Sequence, residues 1–361
     1  MLFAGYAPVH FLCFRPLFER LCEMPAVDVR LSGGLRTRSE KETTFDDVAL
    51  YRPLGVPEDR VIPIEQMRQE DFDVLFAANT KMLLPRSVGR RVQIFHGISF
   101  RNRAIRSANM ACDHYFLTGP YMRRRFARGG LLPAGDPRGL RIGFMKTDAL
   151  VDGSLDRSVL LETFGLAADR PVIAYCPTGQ KANSLAVMGE EVLRTLKATN
   201  EYAILIKLHD HPHGDDTDWK ARLAPLEDEH FKVVSELDVI RVLYVADLLM
   251  TDASSVSSEF SLLDRPMVFL DTPRLIQNAT RKEESMVDEV TWGRRAGRIV
   301  KQPSDVVATV ELSLTRPETH AEIRQAMAAD LFYNPGRATE AALEWFKQEL
   351  ALELSAKTLS G

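Results

Sequence analysis

No stretch of this chain approaches the roughly 20 consecutive apolar residues that a membrane helix needs, so any contact with a bilayer is expected to be peripheral. Paired cysteines are missing too. Cys13, Cys22, Cys112 and Cys176 are widely scattered with no C-x-x-C pair, which argues against a zinc knuckle and fits a reducing cytoplasm. The apolar start, Met1 to Phe14, has no basic segment ahead of it and is interrupted by Pro8 and then Arg15, so it does not read as a signal peptide. Charge of one sign is also lacking. Lys and Arg number 46 against 50 Asp and Glu, a formal net charge of −4, and no nucleic-acid-binding surface is expected from that balance. Nothing in the chain repeats closely enough to call an internal repeat.

What is present is enough for two cores: 361 residues, 45% of them apolar, exceed the usual limit of a single domain. Short apolar runs alternate with helical patterns. Strands are expected at Val9–Phe14, Asp28–Leu31, Asp73–Ala77, Arg91–Phe95, His114–Thr118 and Arg141–Phe144, then at Val172–Cys176, Ala203–Leu208, Phe231–Val234, Leu248–Met250 and Met267–Leu270. Helices are expected at Glu190–Ala198 and Ile240–Val245, among others. This rhythm implies an α/β chain with parallel sheets, each half a doubly wound, Rossmann-like domain. A hinge near Leu150–Ser158 divides the chain into 1–152 and 153–361, the second carrying a C-terminal helix from Thr339 to about Ala356 that packs back. Two such domains facing across a cleft make a GT-B-like architecture, with ligands at the carboxyl ends of the strands.

Several segments place chemistry at those ends. Leu248-Leu-Met250 is followed by Thr251-Asp-Ala-Ser-Ser255, and there unpaired N–H groups, the hydroxyls of Ser254 and Ser255 and the helix dipole favour an anion such as a diphosphate. Read alone, the segment is equally an ordinary Ser/Asp helix cap. Glu259, a turn further on, suits the hydroxyls of a ribose. His96-Gly97 ends another strand, and a neutral imidazole with an ordinary pKa of about 6.5 is suited to taking a proton from an attacking hydroxyl. Lys207 and His209, two residues apart at the end of Ala203–Leu208, can both donate to phosphate oxygens. Thr178, in Tyr175-Cys-Pro-Thr-Gly-Gln180, covers the phosphates or base of a donor, or simply forms a turn. His211, His213, Asp215, Asp216 and Asp218 are too irregularly spaced for a metal site and read as a hydrated acidic loop. Two basic clusters follow: Arg101, Arg103 and Arg106 suit an anionic acceptor, whereas Arg123-Arg-Arg125 with Arg128 reads mainly as a solvated helix face.

In their order these pieces resemble the CDP-glycerol glycerophosphotransferases, which build teichoic-acid-type polymers of glycerol phosphate or ribitol phosphate. The resemblance runs from about 90 to 345. It rests on His96-Gly97, Ala111-Cys-Asp-His-Tyr-Phe-Leu-Thr118, Gly143-Phe-Met-Lys146-Thr-Asp148, Tyr175-x-Pro-Thr178, Lys207-x-His209, Thr251-Asp-x-Ser-Ser255 with Glu259, and Gly336-Arg-Ala338. It implies attack of an acceptor hydroxyl on the β-phosphorus of a CDP-alditol, with release of CMP. His96 would be the base and His209 a second catalytic group. Thr178, Lys207, Thr251, Asp252, Ser254, Ser255 and Glu259 would bind the donor, and Gly97, Arg101 and Arg103 the acceptor, a polyol-phosphate or lipid-linked saccharide. The charge is met by cationic side chains and a helix terminus, so no cofactor and no metal are implied, and the expected location is the cytoplasm, compatible with the inner face of the membrane.

The chain departs from that pattern in places. Ile98-Ser-Phe-Arg-Asn102 stands where Thr-Pro and a lysine commonly follow the His-Gly, and Ala253 where a tyrosine is usual. A GT-B glycosyltransferase or UDP-sugar 2-epimerase shares the expected architecture but would act on a sugar rather than an alditol phosphate, and an epimerase should also place further carboxylates near the sugar. A non-catalytic nucleotide-binding scaffold would have no need of a base.

Overall fold

The computed structural model describes residues 1–38, 43–78, 82–98, 110–167, 169–209, 217–282 and 293–359. The chain divides into two compact units, one of Met1–Asp148 with Asp330–Gly361 and one of Ala149–Ala329. In chain order the strands are β1 Leu2–Gly5, β2 Arg30–Gly33, β3 Leu35–Arg38, β4 Thr43–Asp46, β5 Val61–Ile62, β6 Asp71–Ala77, β7 Ser87–Gln93, β8 His114–Phe116 and β9 Gly139–Leu140. They continue with β10 Val172–Tyr175, β11 Ala203–Lys207, β12 Phe231–Val234, β13 Leu248–Thr251, β14 Met267–Leu270 and β15 Arg298–Val300.

The first unit holds a parallel sheet in the order β5-β2-β1-β6-β7-β8-β9, with β3 and β4 as a separate antiparallel hairpin. Counting sheet strands alone, the winding starts at β1, runs outward through β2 and β5, then returns to fill the other side from β6. The second unit repeats the scheme as β12-β11-β10-β13-β14-β15. Both are doubly wound sheets whose order reverses at one point, between β1 and β6 in the first and between β10 and β13 in the second. Such a reversal leaves a crevice at the carboxyl ends of the two strands.

The strands of the second unit match the expected segments because their sequences leave no choice. Val172-Ile-Ala-Tyr175, Leu248-Leu-Met-Thr251 and Met267-Val-Phe-Leu270 are buried at every position, as strands covered on both faces must be. The helix Glu190–Thr199 covers one face with Val192, Leu193 and Leu196, and stops at Asn200, whose left-handed backbone (φ 58°) ends it.

The first unit corrects the sequence reading in two places. Val9–Phe14, expected as a strand, lies in the helix Pro8–Cys22. Its apolar run is unbroken because this helix is buried almost all round, through His10, Phe11, Leu12, Cys13, Phe14 and Leu17, and periodicity cannot separate that from a strand. Pro8 occupies the first turn, where a missing N–H is tolerated. The strand itself is Leu2–Gly5, where Phe3 stacks on Phe76 of β6 at 4.6 Å. Arg141–Phe144, also expected as a strand, continues beyond β9 as irregular chain.

Residues 330–361, assigned with the second domain on sequence, belong to the first unit. The reason is local. Gly143 has φ 107°, and a Cβ there would lie 2.2 Å from the Tyr333 carbonyl oxygen. Asn334 Nδ2 donates to the carbonyls of Arg141 (2.9 Å) and Ile142 (3.1 Å). Asp148 accepts from the N–H groups of Ala338 (3.0 Å) and Thr339 (2.7 Å), capping the helix Ala338–Leu359 with a negative charge at its positive end. Trp345 of that helix meets Phe116 of β8 edge-on at 5.2 Å. Gly143→Ala should therefore destabilise the first unit by on the order of 2–4 kcal/mol, since the new side chain meets backbone and its φ is unfavourable. Urea unfolding of the full chain measures this, and an unchanged midpoint would refute the packing argument. No helix among the described residues is long and apolar enough to cross a membrane.

Candidate active site

In the second unit the register lines up one row of residues at the strand ends. Tyr175 pairs with Ile206 on one side and with Met250 on the other, so the next residues, Lys207, Cys176 and Thr251, lie side by side. Lys207 is buried, with Nζ donating to the Leu208 carbonyl at 3.4 Å. Burial pushes the Cys176 thiol up to about 12, against the pull of Lys207, while Glu259 adds to the upward push. Lys207 and Glu259 are thus both near enough to act on one buried thiol. His209, two residues beyond β11, is exposed.

Thr251 and Asp252, expected to touch the donor, are both buried and bonded to neighbouring loops. Thr251 Oγ1 donates to the Cys176 carbonyl at 2.7 Å. Asp252 is fully buried; Oδ1 accepts from the N–H of Thr178 (3.0 Å) and of Ala253 (2.7 Å), and Oδ2 from the N–H (2.9 Å) and hydroxyl (2.9 Å) of Ser184. Burial raises its pKa, and these donors oppose that. Each of these bonds meets a carboxylate oxygen as acceptor, so a carboxyl proton would displace one of them, and we assign the ionised form. The carboxylate clamps the β10 loop at Thr178 and Ser184 to the β13 loop, and Asn183 closes the loop with a 2.7 Å bond to the Thr178 carbonyl.

Ser254 and Ser255 are different. The helix Val256–Phe260 begins without a side-chain cap from Ser255, and the first-turn hydroxyl that bonds the Ser254 carbonyl is that of Ser257, at 2.9 Å. The cap alternative therefore does not account for Ser254 and Ser255. Ser254 is half-buried and Ser255 exposed.

In the first unit His96 lies just past β7, and its Nδ1 is 2.5 Å from the carbonyl oxygen of Ala78, the residue after β6. A carbonyl only accepts, so Nδ1 carries the proton and Nε2 of the neutral ring is left with its lone pair. Solvent reaches the ring, yet the protein packed beneath it lowers the imidazole pKa by desolvation; the Ala78 carbonyl opposes this and the Lys146 charge adds to it. Gly97 follows with nothing within 4 Å of where a Cβ would be. Arg101 and Arg103 lie outside the described residues. In the other basic cluster, Arg123 donates to the Gly139 carbonyl (2.7 Å) and Arg124 forms a bidentate pair with Asp330 (2.6 Å for each bond), so both help hold the fold.

Residues 92–341 match the family described as CDP-glycerol:poly(glycerophosphate) glycerophosphotransferase. The chain belongs to that family. Among curated proteins it is similar to the teichoic acid glycerol-phosphate primase of Bacillus spizizenii, 33% identical over 146 residues, which cover 39% of this chain and 36% of the primase. It is also similar to the teichoic acid poly(glycerol phosphate) polymerase of Staphylococcus epidermidis, 28% identical over 146 residues, 37% of this chain and 19% of the polymerase. The chain thus spans about a third or less of the length of these relatives. Among solved structures the wall teichoic acid polymerase TagF shares the fold, with a TM-score of 0.68 at 16% identity over 98% of this chain and 90% of that one. A UDP-GlcNAc 2-epimerase from Neisseria meningitidis has a TM-score of 0.58 at 11% identity, over 96% of this chain and 98% of that one.

The motif positions fall into two groups in this fold. Gly143, Asp148 and Ala338 hold the last helix, whereas His96, Lys207, Ser254, Ser255 and Glu259 gather at strand ends next to the two points of reversal. Ser184 and Asn183 were not singled out on sequence, because nothing in a Pro-Thr-Gly loop announces that its far end is tied back by a carboxylate 68 residues later. Lys146 was noted only as part of a motif, and its effect on His96 needed the structure. His10 was hidden by the misread strand: once β1 ends at Gly5, residues 6–10 fall at its carboxyl end.

Proposed function

We propose that this protein transfers glycerol phosphate, or a related alditol phosphate, from a CDP-alditol to an acceptor hydroxyl in the synthesis of a teichoic-acid-like surface polymer. The acceptor oxygen attacks the β-phosphorus, its proton passes to His96 Nε2, and the bond from that phosphorus to the CMP oxygen breaks, releasing CMP. The observation that carries the reading is the 2.5 Å approach of His96 Nδ1 to the Ala78 carbonyl: since a carbonyl can only accept, Nδ1 is assigned the proton and the other nitrogen is a ready proton acceptor. In the second unit, Lys207, His209, Ser254 and Ser255 meet the diphosphate and the charge developing on the leaving CMP, and Glu259 meets the ribose. Thr178 lines the site through the clamped loop, while Thr251 and Asp252 shape it from below. Gly97, with Arg101 and Arg103, serves the acceptor, a polyol-phosphate chain or a lipid-linked saccharide, reached by peripheral contact with the membrane.

Calorimetric titration with CDP-glycerol, CDP-ribitol, CMP and UDP-GlcNAc tests this. Cytidine nucleotides should bind, and Ser254→Ala should weaken them by about 10- to 150-fold, the worth of one charge-assisted hydrogen bond. A preference for UDP-GlcNAc would replace this reading with a sugar-nucleotide enzyme, and binding of none of the four would leave a scaffold.

A further inference from the structure

The ring of His96 has a neighbour outside the family match. His10, in the first turn of the helix Pro8–Cys22, is 5% exposed, and its ring centre lies 5.1 Å from that of His96 with the planes at 59°. It reaches there because Gly5 has no side chain: a Cβ on Gly5 would be 3.0 Å from His10 Cβ. The Tyr6 N–H donates to His10 Nδ1 at 3.1 Å, and the Tyr6 ring meets the His10 ring edge-on at 4.7 Å. An Nδ1 that accepts carries no proton, so His10 is neutral, protonated at Nε2, and cannot take up a second proton without losing the Tyr6 bond. The His10 ring is therefore fixed in place and in charge, on one flank of His96.

We propose that His10 is a positioning residue for His96, holding it in the orientation that keeps Nδ1–H on the Ala78 carbonyl and Nε2 as the proton acceptor. A histidine ring flipped about its Cβ–Cγ bond exchanges Nδ1 with a carbon, which breaks the Ala78 bond and frees the proton to sit on either nitrogen. His10 occupies the space such a flip requires. Among the described residues, the groups acting on His96 are the Ala78 carbonyl after β6, Lys146 from the segment after β9, and His10 from the helix Pro8–Cys22. The Ala78 carbonyl holds one ring nitrogen by a hydrogen bond, and His10 packs a second ring beside the imidazole. Its loss admits water beside His96, so desolvation weakens and the imidazole becomes easier to protonate.

The inference rests on His96 being the base, but its test does not need turnover. The full chain, labelled with nitrogen-15 in histidine, gives the tautomer and titration midpoint of each ring by NMR, with His96 assigned through His96→Gln. In the wild type His96 should show a protonated Nδ1 and an acceptor Nε2, with a midpoint below that of free imidazole. In His10→Ala the two tautomers should mix and the midpoint should rise, whereas His10→Phe, which keeps a ring against His96, should restore both. With a CDP-alditol and acceptor, kcat should fall about 10- to 100-fold in His10→Ala, as for a misplaced catalytic group, with KM for the donor unchanged. A folded His10→Ala whose His96 tautomer and midpoint equal the wild type's overturns the proposal. If the alanine variant does not fold, His10→Ser, which leaves the same space empty while keeping an oxygen able to accept from the Tyr6 N–H, faces the same two outcomes. Tautomer control without any transfer in the wild type would instead sink the proposed function and leave the positioning intact.

Discussion

Replacing His96 with alanine is expected to lower transfer from a CDP-alditol by about 10²- to 10⁴-fold, the usual worth of a general base, and to leave cytidine-nucleotide binding within about two-fold. The separation follows from the geometry. His96 belongs to the first unit and is held by the Ala78 carbonyl, whereas the candidate donor residues all belong to the second. The pH profile supplies a second check. His96 acts as a base only when neutral, so activity is present above its pKa and is lost as pH falls through it. Because burial and Lys146 lower that pKa, the acid limb of kcat/KM should lie below the ordinary imidazole value of about 6.5. In His96→Gln the limb should vanish along with most of the rate. A rate that survives His96→Ala would remove the base from the mechanism.

Asp252→Asn should be nearly as damaging as Asp252→Ala, and both should lower the stability of the second unit by roughly 3–5 kcal/mol. The shapes of Asp and Asn are alike; their hydrogen-bonding is not. The carboxylate accepts from three backbone N–H groups and is paired with the Ser184 hydroxyl. An amide in its place turns one oxygen into an NH₂ that faces donors, leaving without a partner either the Ser184 N–H or those of Thr178 and Ala253. The lost clamp also releases Thr178 and Ser184 from the β13 loop, so nucleotide binding should weaken along with thermal stability, by an amount that Ser254→Ala does not match. Differential scanning calorimetry with and without CMP measures both effects. An Asn variant as stable as the wild type would show that the donors do not converge as described.

The second unit was legible in the sequence because its central strands are buried on both faces, and a buried parallel strand has few other readings. The same criterion failed at Val9–Phe14, where a helix buried on nearly every side produces the same unbroken run. The placement of candidate residues at strand ends was legible, as for His96, Lys207 and Ser254. A role was not legible where a residue serves another part of the chain. Asp252 resembles a donor ligand in sequence, but both its oxygens are directed at loops of its own unit. Asp148 stands in one of the segments that carry the family resemblance, with no role readable from its neighbours, and is a helix cap for a segment 190 residues on. Such pairings are set by long-range topology, which local pattern does not carry.

The return of the chain to the first unit at Asp330 fixes an order of events during synthesis. The second unit is one continuous stretch, Ala149–Ala329, so all of it is synthesised before the helix Ala338–Leu359. The sheet around His96 is made first, yet the strap that Gly143 and Asp148 are shaped to receive arrives last. During the intervening translation, at about 5–20 residues per second, the face of Phe116 that Trp345 will cover has no partner from its own chain. Of the two units, the one begun before the other is therefore completed after it, and a nascent chain stalled within the second unit would expose that face of the first.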